Sequence, residues 1–177
     1  MYLANPVKTL SKQQKRMLQH GTSKLFNEAF LIDIMEPSLI HNIVLPIKIR
    51  KEYAQSTVLQ FEPFSINEDG VVGKPLADAL QFSEIDAKAK SIDLDFEDFK
   101  VLGSQFYLVV SAIISPNAFE GFESEFTANP FLLCSYTNNP NYTLRYNIGN
   151  NLWYDASKAY SINKYPRLIA TVIGQKL

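Results

Sequence analysis

The stretch that decides the fold runs from Ser91 to Ser115 and reads SIDLDFEDFKVLGSQFYLVVSAIIS. In its first part, apolar residues alternate with acidic ones: Ile92, Leu94 and Phe96 with Asp93, Asp95 and Glu97. This period-two alternation is typical of a strand with one buried and one solvated face. The later run from Phe106 to Ile114 is almost entirely apolar, which predicts a strand covered on both faces. The stretch therefore predicts the centre of a β core.

Segments on both sides of this stretch extend the prediction to the whole chain. Further strands are expected within 39–53, 57–61, 131–136, 142–148 and 168–173. Pro46 cannot donate to a ladder, so the first of these is expected at a sheet edge or at a bulge. Ser11 with Gln14 matches a capping box, and the apolar residues after it recur at helical spacings until Pro37.

We therefore predict one domain over 1–177, of the α+β class but mainly β. It would consist of an extended arm over 1–10, an amphipathic helix over 11–36 and a mainly β core over 39–177. The core is expected to be an antiparallel β-sandwich of about seven or eight strands, since many short strands with brief turns favour that architecture.

Composition restricts the class of protein. The chain has 177 residues, of which 46% are hydrophobic and 12% aromatic, and this excludes a disordered chain. Cys134 is the only cysteine, which excludes an internal disulfide and fits a reducing compartment. No apolar h-region follows the N-terminal cations, and no run of 18 apolar residues occurs. We therefore expect a soluble protein of the cytoplasm or of a virion, with no signal peptide and no membrane partner.

Charge is distributed unevenly along the chain. Residues 1–27 carry five Lys or Arg and no acid, whereas residues 62–98 carry ten acids against three lysines. A basic head and an acidic belt can attract each other within one chain or between copies. The cations predicted to contact a partner are Lys12, Lys15, Arg16 and Lys24. They are not interleaved with aromatic residues, so nucleic acid is disfavoured as that partner. The alternative is that both segments are simply solvated faces.

The three carboxylates Asp93, Asp95 and Glu97 are candidate metal ligands. Residues two apart on a strand share a face and lie about 7 Å apart along it. Ca²⁺ and Mg²⁺ prefer several oxygen ligands, so such a row could serve a metal-dependent enzyme. The same pattern arises in any half-buried strand with a solvated face. We assign no metal and no cofactor.

Nucleophilic catalysis has little support in the sequence. A cysteine nucleophile needs a base, and the chain offers only His20 and His41, neither in a recognisable motif. Cys134 lies in an apolar run, where a free cysteine is usually a core residue. Phosphate-binding, dinucleotide-binding and nucleophile-elbow motifs are all missing from the sequence. We therefore assign no catalytic residue and predict that the chain is not an enzyme.

Aromatic and amide residues are concentrated in residues 129–165, which hold eight Asn and six of the nine Tyr. Such residues offer large contact areas with hydrogen-bonding tips. The side chains predicted to bind a partner here are Tyr142, Tyr146, Trp153 and Tyr154. Aromatic faces beside amides would also suit a carbohydrate. The alternative is that they are cross-strand pairs that stabilise a sheet.

These observations predict a non-enzymatic structural or interaction protein that acts as one subunit of a larger assembly. Its partners would be copies of itself or other subunits, and a phage or virus particle component is the most concrete version. The first alternative is a β-sandwich module that binds carbohydrate. The second is a carboxylate-based or metal-dependent enzyme.

Overall fold

The computed structural model describes residues 18–23, 26–53, 55–56, 58–113, 127–147, 151–155 and 165–177. These residues contain thirteen strands and a single 3₁₀ turn at Pro140–Tyr142. The strands are β1 (Leu18–Ser23), β2 (Asn27–Asp33), β3 (Ser38–Lys48), β4 (Val58–Ile66), β5 (Val72–Pro75), β6 (Leu80–Phe82), β7 (Ser91–Val101), β8 (Gln105–Ile113), β9 (Thr127–Thr137), β10 (Thr143–Asn147), β11 (Leu152–Asp155), β12 (Tyr165–Leu168) and β13 (Thr171–Lys176).

The strands form two antiparallel sheets. In the first sheet, β9 lies between β1 and β3, β12 pairs with β9, and both β13 and β7 pair with β3. In the second sheet the order is β11-β10-β2-β8-β4-β5, with β6 also paired to β4. The chain crosses between the sheets repeatedly, so contacts distant in sequence hold both sheets together.

One buried apolar cluster lies between the two sheets. It contains Ile43 and Leu45 from β3 together with Leu59 from β4 and Phe106 and Leu108 from β8. A second cluster lies on the opposite side of the second sheet and contains Ala29, Leu31, Val72, Tyr107, Val109 and Leu144. β2 and β8 contribute alternate residues to both clusters. The prediction that the 106–114 run is covered on both faces is confirmed over Phe106 to Val110, which are all buried.

The predicted helix over 11–36 is wrong for the residues that the structure describes. Leu18–Ser23 and Asn27–Asp33 are strands, and residues 1–17 lie outside the described residues, as does the predicted arm over 1–10. The reason is the two-sided burial of β2, in which Phe30 and Ile32 face one cluster while Ala29 and Leu31 face the other. A strand with two apolar faces lacks period-two alternation, and helical spacing then fits it by coincidence.

The strand count also differs from the predicted seven or eight. Two of the thirteen described strands were predicted to be helical, and short strands such as β5, β6 and β12 have too few residues to show a period.

Within the described residues, no helix is long and apolar enough to cross a membrane.

Pro46 lies in a central strand rather than at an edge. The alternative prediction, that this strand carries a bulge, agrees with the register shift between Ile40 and Asn42, although the shift is not at Pro46 itself. The Ile47 amide donates to the Lys90 carbonyl on the β7 side (2.9 Å), so the preceding nitrogen, that of Pro46, points to the other side of β3. On that side, β13 pairs only as far as Val44 and β9 begins at Ile47. The missing N–H of Pro46 therefore falls in the gap between two neighbouring strands, where no donor is needed.

A buried asparagine fixes the loop that follows β3. The Asn129 side-chain amide donates to the carbonyls of Arg50 (2.7 Å) and Tyr53 (2.8 Å), and its Oδ1 accepts from the Arg50 amide (2.8 Å). Its backbone carbonyl accepts from the Ser56 hydroxyl at 2.7 Å. Asn129 belongs to the two-residue bulge by which β9 departs from the register of β1. One side chain thus joins the 50–56 loop to the first sheet.

Replacing Asn129 should destabilise the fold. Asn129→Ala removes three side-chain hydrogen bonds and leaves buried backbone carbonyls without their partner, which predicts a loss of about 2–4 kcal/mol in the free energy of unfolding. Urea denaturation measures this loss. The control is Asn138→Ala, because Asn138 is exposed and its replacement should change the free energy by no more than about 0.5 kcal/mol. Equal stability of the two variants would contradict this role of Asn129.

Candidate functional site

A charged cluster lies inside the protein, where the two sheets meet. Glu28 of β2 is only 2% exposed. Its Oε2 lies 2.8 Å from Nε2 of His20 in β1, and its Oε1 accepts from Nε of Arg145 in β10 at 3.0 Å. Arg145 is directly opposite Glu28 in the second sheet, whereas His20 belongs to the first. The carboxylate therefore ties the two sheets together.

Neighbouring charges decide the protonation state of this carboxyl group. Burial alone raises the pKa of Glu28, but the charges and hydrogen bonds of His20 and Arg145 outweigh it and hold the pKa below the usual 4.5. Burial, reinforced by the negative charge of Glu28, raises the pKa of the Cys134 thiol. Glu28 is therefore ionised at neutral pH and Cys134 is a protonated thiol.

The structure brings His20 and Cys134 near the same carboxylate, although the sequence separates them widely. Cys134 is completely buried, and a protonated, buried thiol is a poor nucleophile. The arrangement links the two sheets, because the Glu28 carboxylate of the second sheet is bound to His20 of the first. Glu28 was not singled out from the sequence. Once residues 27–33 are recognised as a strand, an acid on the same face as Phe30 and Ile32 is the signal that would have found it.

A second polar cluster surrounds Asp33 at the end of β2. Its Oδ2 accepts from the Tyr142 hydroxyl at 2.7 Å and from Nη2 of Arg167 at 2.6 Å, and its Oδ1 accepts from Gln105 at 2.7 Å. The Arg167 guanidinium also lies over the Tyr142 ring, 4.9 Å from its centroid. Burial and the hydrogen bond to Asp33 raise the pKa of Tyr142. Tyr142 is thus engaged by neighbours in its own chain.

Three large apolar side chains are exposed at one end of the first sheet. Met35 is 66% exposed, Leu102 is 80% exposed and Leu177 is 51% exposed. Ser38 pairs with Val101 on one side and with Lys176 on the other, so Leu102 and Leu177 flank the 34–37 loop that precedes it. The Leu177 amide donates to the Pro37 carbonyl (3.1 Å), and the Ile34 amide donates to the Ser104 carbonyl (2.8 Å). We call Met35, Leu102 and Leu177 the apolar end.

A groove of about 570 Å³ opens beside the apolar end. Its walls are residues 100–105, which include the exposed Leu102, together with Ser65, Ile66 and Leu76. Residues 100–105 comprise the β7–β8 turn and its flanks, so the groove lies where the ends of β4, β7 and β8 come together. Among the described residues that line this groove, none is acidic and Lys100 alone is charged.

The predicted metal ligands lie on the solvent side of β7. Asp93, Asp95 and Glu97 are all exposed, and Asp93 accepts a hydrogen bond from the Asn42 side chain. In the part of the chain that the structure describes, no three His, Cys, Asp or Glu side chains are grouped closely enough to hold a metal ion. Farther along, Glu97 and Asp98 share a groove of about 440 Å³ with Glu62 and Asp78. We call this opening the acidic groove.

The four aromatic residues predicted to bind a partner do not share one face. Tyr146 and Trp153 are directly opposite each other on β10 and β11, with ring centroids 5.2 Å apart and planes inclined by 51°. Tyr142 and Trp153 pack against the second apolar cluster. Tyr154 is opposite Arg145 instead, and therefore lies on the other face of the sheet. The predicted cations Lys12, Lys15, Arg16 and Lys24 lie outside the described residues.

Neutralising Glu28 should weaken the contact between the sheets. Glu28→Gln keeps the shape but removes the buried charge, so we expect a loss of about 3 kcal/mol at pH 7. The folded-state pKa of Glu28 lies below its unfolded value, so its stabilisation is complete above 4.5 and fades as pH falls through the folded-state pKa. The difference in the free energy of unfolding between wild type and Glu28→Gln should therefore decrease at acidic pH.

Urea denaturation across this pH range measures both effects. The control is Glu97→Gln, which neutralises an exposed carboxylate of β7. A Glu28→Gln protein as stable as wild type at pH 7 would show that the buried ion pairs contribute nothing net.

Comparison with known proteins identifies no function for this chain, so its function has to be inferred from its own structure. No protein-family model matches it, and no curated protein or solved structure resembles it at a significant level. Three surfaces of the described residues are therefore the basis for a functional argument. They are the apolar end with its groove, the exposed acidic strand β7 with the acidic groove, and the aromatic pair of β10 and β11.

Proposed function

We propose that the chain is a non-enzymatic structural or interaction protein, one subunit of a larger assembly that contains further copies of itself. The observation that carries this proposal is the apolar end. Three large apolar side chains from separate parts of the chain lie at this end of the first sheet, each with more than half of its surface in solvent. Clustered exposed apolar groups beside a groove are typical of protein–protein contact sites. Contact with another subunit would remove this surface from water.

The chemistry of the interior agrees with this proposal. The buried His20 imidazole and Glu28 carboxylate are bound to each other, and the Cys134 thiol near them is buried as well, so these groups support a scaffold. The most concrete version of the proposal is a phage or virus particle component. Two-layered antiparallel sheets occur in viral capsid subunits, and they also occur in lectins, so this comparison is one of architecture alone.

The apolar end should control self-association. Leu102→Glu places a charge in the proposed contact, and we expect it to raise the dissociation constant of the oligomer by at least about tenfold. Light scattering after size-exclusion chromatography, over a range of protein concentrations, measures the mass. Wild type should exceed the 20.1 kDa of one chain, and the variant should approach it.

The chain offers a matched control for this substitution. Leu152 of β11 is 62% exposed and does not belong to the apolar end, so Leu152→Glu should leave the mass unchanged. A wild-type chain that remains at 20.1 kDa at every concentration would contradict assembly with its own copies. An oligomer whose mass is unchanged by Leu102→Glu would instead show that the apolar end is not part of the contact.

The second candidate function is a β-sandwich module that binds carbohydrate. The partly exposed pair of Tyr146 and Trp153, with the Tyr146 hydroxyl 3.0 Å from Oδ1 of Asn151, supports it. Aromatic rings stack on the apolar faces of sugars, while amides bind their hydroxyl groups.

This alternative predicts that a binding glycan changes the fluorescence of Trp153, the only tryptophan. Titration with a broad glycan panel is the measurement. Tyr146→Ala should abolish the response, whereas Tyr136→Ala, which removes an exposed tyrosine elsewhere, should retain it. A flat response of wild type to the whole panel would exclude this candidate.

A further inference from the structure

Among the described residues, one edge of the first sheet is a long strand with no partner on its outer side. β7 has eleven residues and pairs with β3. Across the described residues, no backbone hydrogen bond is formed on its other side. Long unpaired edges are templates for another strand, and natural proteins usually shorten or cover them. This edge is therefore a place where a further chain segment can be added.

The register shows which groups face the open edge. The Lys90 carbonyl accepts from Ile47 of β3, so the backbone groups of even-numbered residues near the start of β7 face β3. The N–H and C=O groups of Ser91, Asp93 and Asp95 consequently point away from it. The side chains of these three residues are exposed as well. The same short segment thus offers unpaired backbone groups and carboxylates.

The charge of this edge restricts what can pair with it. Asp93, Asp95, Glu97 and Asp98 are exposed, and the acidic groove adds Glu62 and Asp78. Burial and the neighbouring Asp78 raise the pKa of Glu62, as expected where negative charges crowd. A second copy of β7 would place carboxylates against carboxylates, which is unfavourable. An added strand must therefore bring positive charge.

The N-terminal part of the chain contains a segment of suitable charge and length. Residues 7–16 read VKTLSKQQKR, carry four cations and no acid, and equal ten residues against the eleven of β7. In an extended conformation the even-numbered residues share one face, which places Lys8, Lys12 and Arg16 together. That face would lie beside the carboxylates of β7. The backbone N–H and C=O groups of the segment would form hydrogen bonds with the unpaired backbone groups of β7.

The place where this segment joins the fold favours a neighbouring copy. Residue 17 leads into β1, and β1 is separated from β7 by β9 and β3 in the first sheet. Only residue 17 separates this segment from Leu18 of β1, and two residue steps span at most about 7 Å. β7 lies three strand spacings, about 14 Å, from β1 of the same sheet. A segment that adds to the edge of β7 therefore does so in another copy. A contact from the β1 side of one copy to the β7 edge of the next is head-to-tail. Such a contact closes into a ring or continues as an open array.

We propose that residues 7–16 of one copy add as a strand to the open edge of β7 in a second copy. This inference rests on the proposed assembly function and names its partner and binding mode. It uses a surface different from the apolar end, so the two can fail independently. The binding mode is main-chain pairing, with charge selecting the segment that pairs.

A charge exchange in the full-length chain tests the proposal. One variant carries Lys8→Glu, Lys12→Glu and Arg16→Glu, and the other carries Asp93→Lys, Asp95→Lys and Glu97→Lys. Each should raise the dissociation constant of the oligomer by about ten- to hundredfold, since each reverses three charges and turns the attraction between the segment and β7 into repulsion. An equimolar mixture of the two variants, and a chain with all six changes, should regain the wild-type mass.

The matched control reverses the charge of three exposed lysines elsewhere and should leave assembly intact. Its substitutions are Lys51→Glu, Lys74→Glu and Lys88→Glu.

Hydrogen exchange distinguishes strand addition from a purely ionic contact. The amides of Ser91, Asp93 and Asp95 should be protected in the wild-type oligomer and exchange freely in the variant with the reversed N-terminal segment. Cross-linking of lysine to carboxylate by a carbodiimide should yield covalent dimers rather than loops within one chain.

The outcomes distinguish the two proposals. Strand addition is wrong if both charge reversals leave the mass of the oligomer unchanged, or if the β7 amides of the wild-type oligomer are unprotected. Either result is compatible with the proposed assembly function. Failure of the sixfold variant and of the mixture to reassemble also overturns strand addition. Cross-links confined to one chain place the segment on its own β7 and overturn the exchange between copies. A wild-type chain that is monomeric under all conditions overturns both proposals.

Discussion

The burial of β2 and β8 on both faces is the constraint on which the rest of the structure depends. These strands pair in the middle of the second sheet, where their alternate residues fill the cluster between the sheets and the cluster on the outer side. Buried backbone groups must find hydrogen-bond partners, so each strand needs a neighbour on both edges. β10 and β4 supply those neighbours, and the sheet is extended from its centre outward.

The same burial explains why a single acid matters inside the protein. Glu28 lies on the inner face of β2, where an unpaired carboxylate would be strongly unfavourable. His20 comes from the first sheet and Arg145 from the neighbouring strand, and together they keep it ionised. Apolar packing alone allows many relative positions of two sheets, whereas hydrogen bonds to one carboxylate restrict them. Such clusters are consistent with a scaffold whose binding surfaces lie elsewhere.

The proposed binding surfaces lie where this framework stops. The apolar end consists of loop residues and Leu177, beyond the last paired row of the first sheet, and β7 is an edge strand of that sheet in the part of the chain that the structure describes. The two surfaces differ in chemistry, since one is apolar and the other acidic with an open backbone edge. An assembly that uses both would combine dehydration of apolar groups with a contact selective for charge and for an extended segment.

The alternation in 91–97 and the apolar run from Phe106 were enough to predict β7 and β8, because their burial follows from local pattern. Mainly β structure and the position of Cys134 in the core were likewise evident in the sequence. Tertiary structure decided the rest. β1 and β2 are strands because neighbours cover both their faces, and a two-sided strand has no period to distinguish it from a helix. His20, Glu28 and Arg145 meet only because β1, β2 and β10 are brought together. Met35, Leu102 and Leu177 are exposed because they lie beyond the paired ends of the strands. Local sequence patterns do not show which residues end up in such positions in the folded chain.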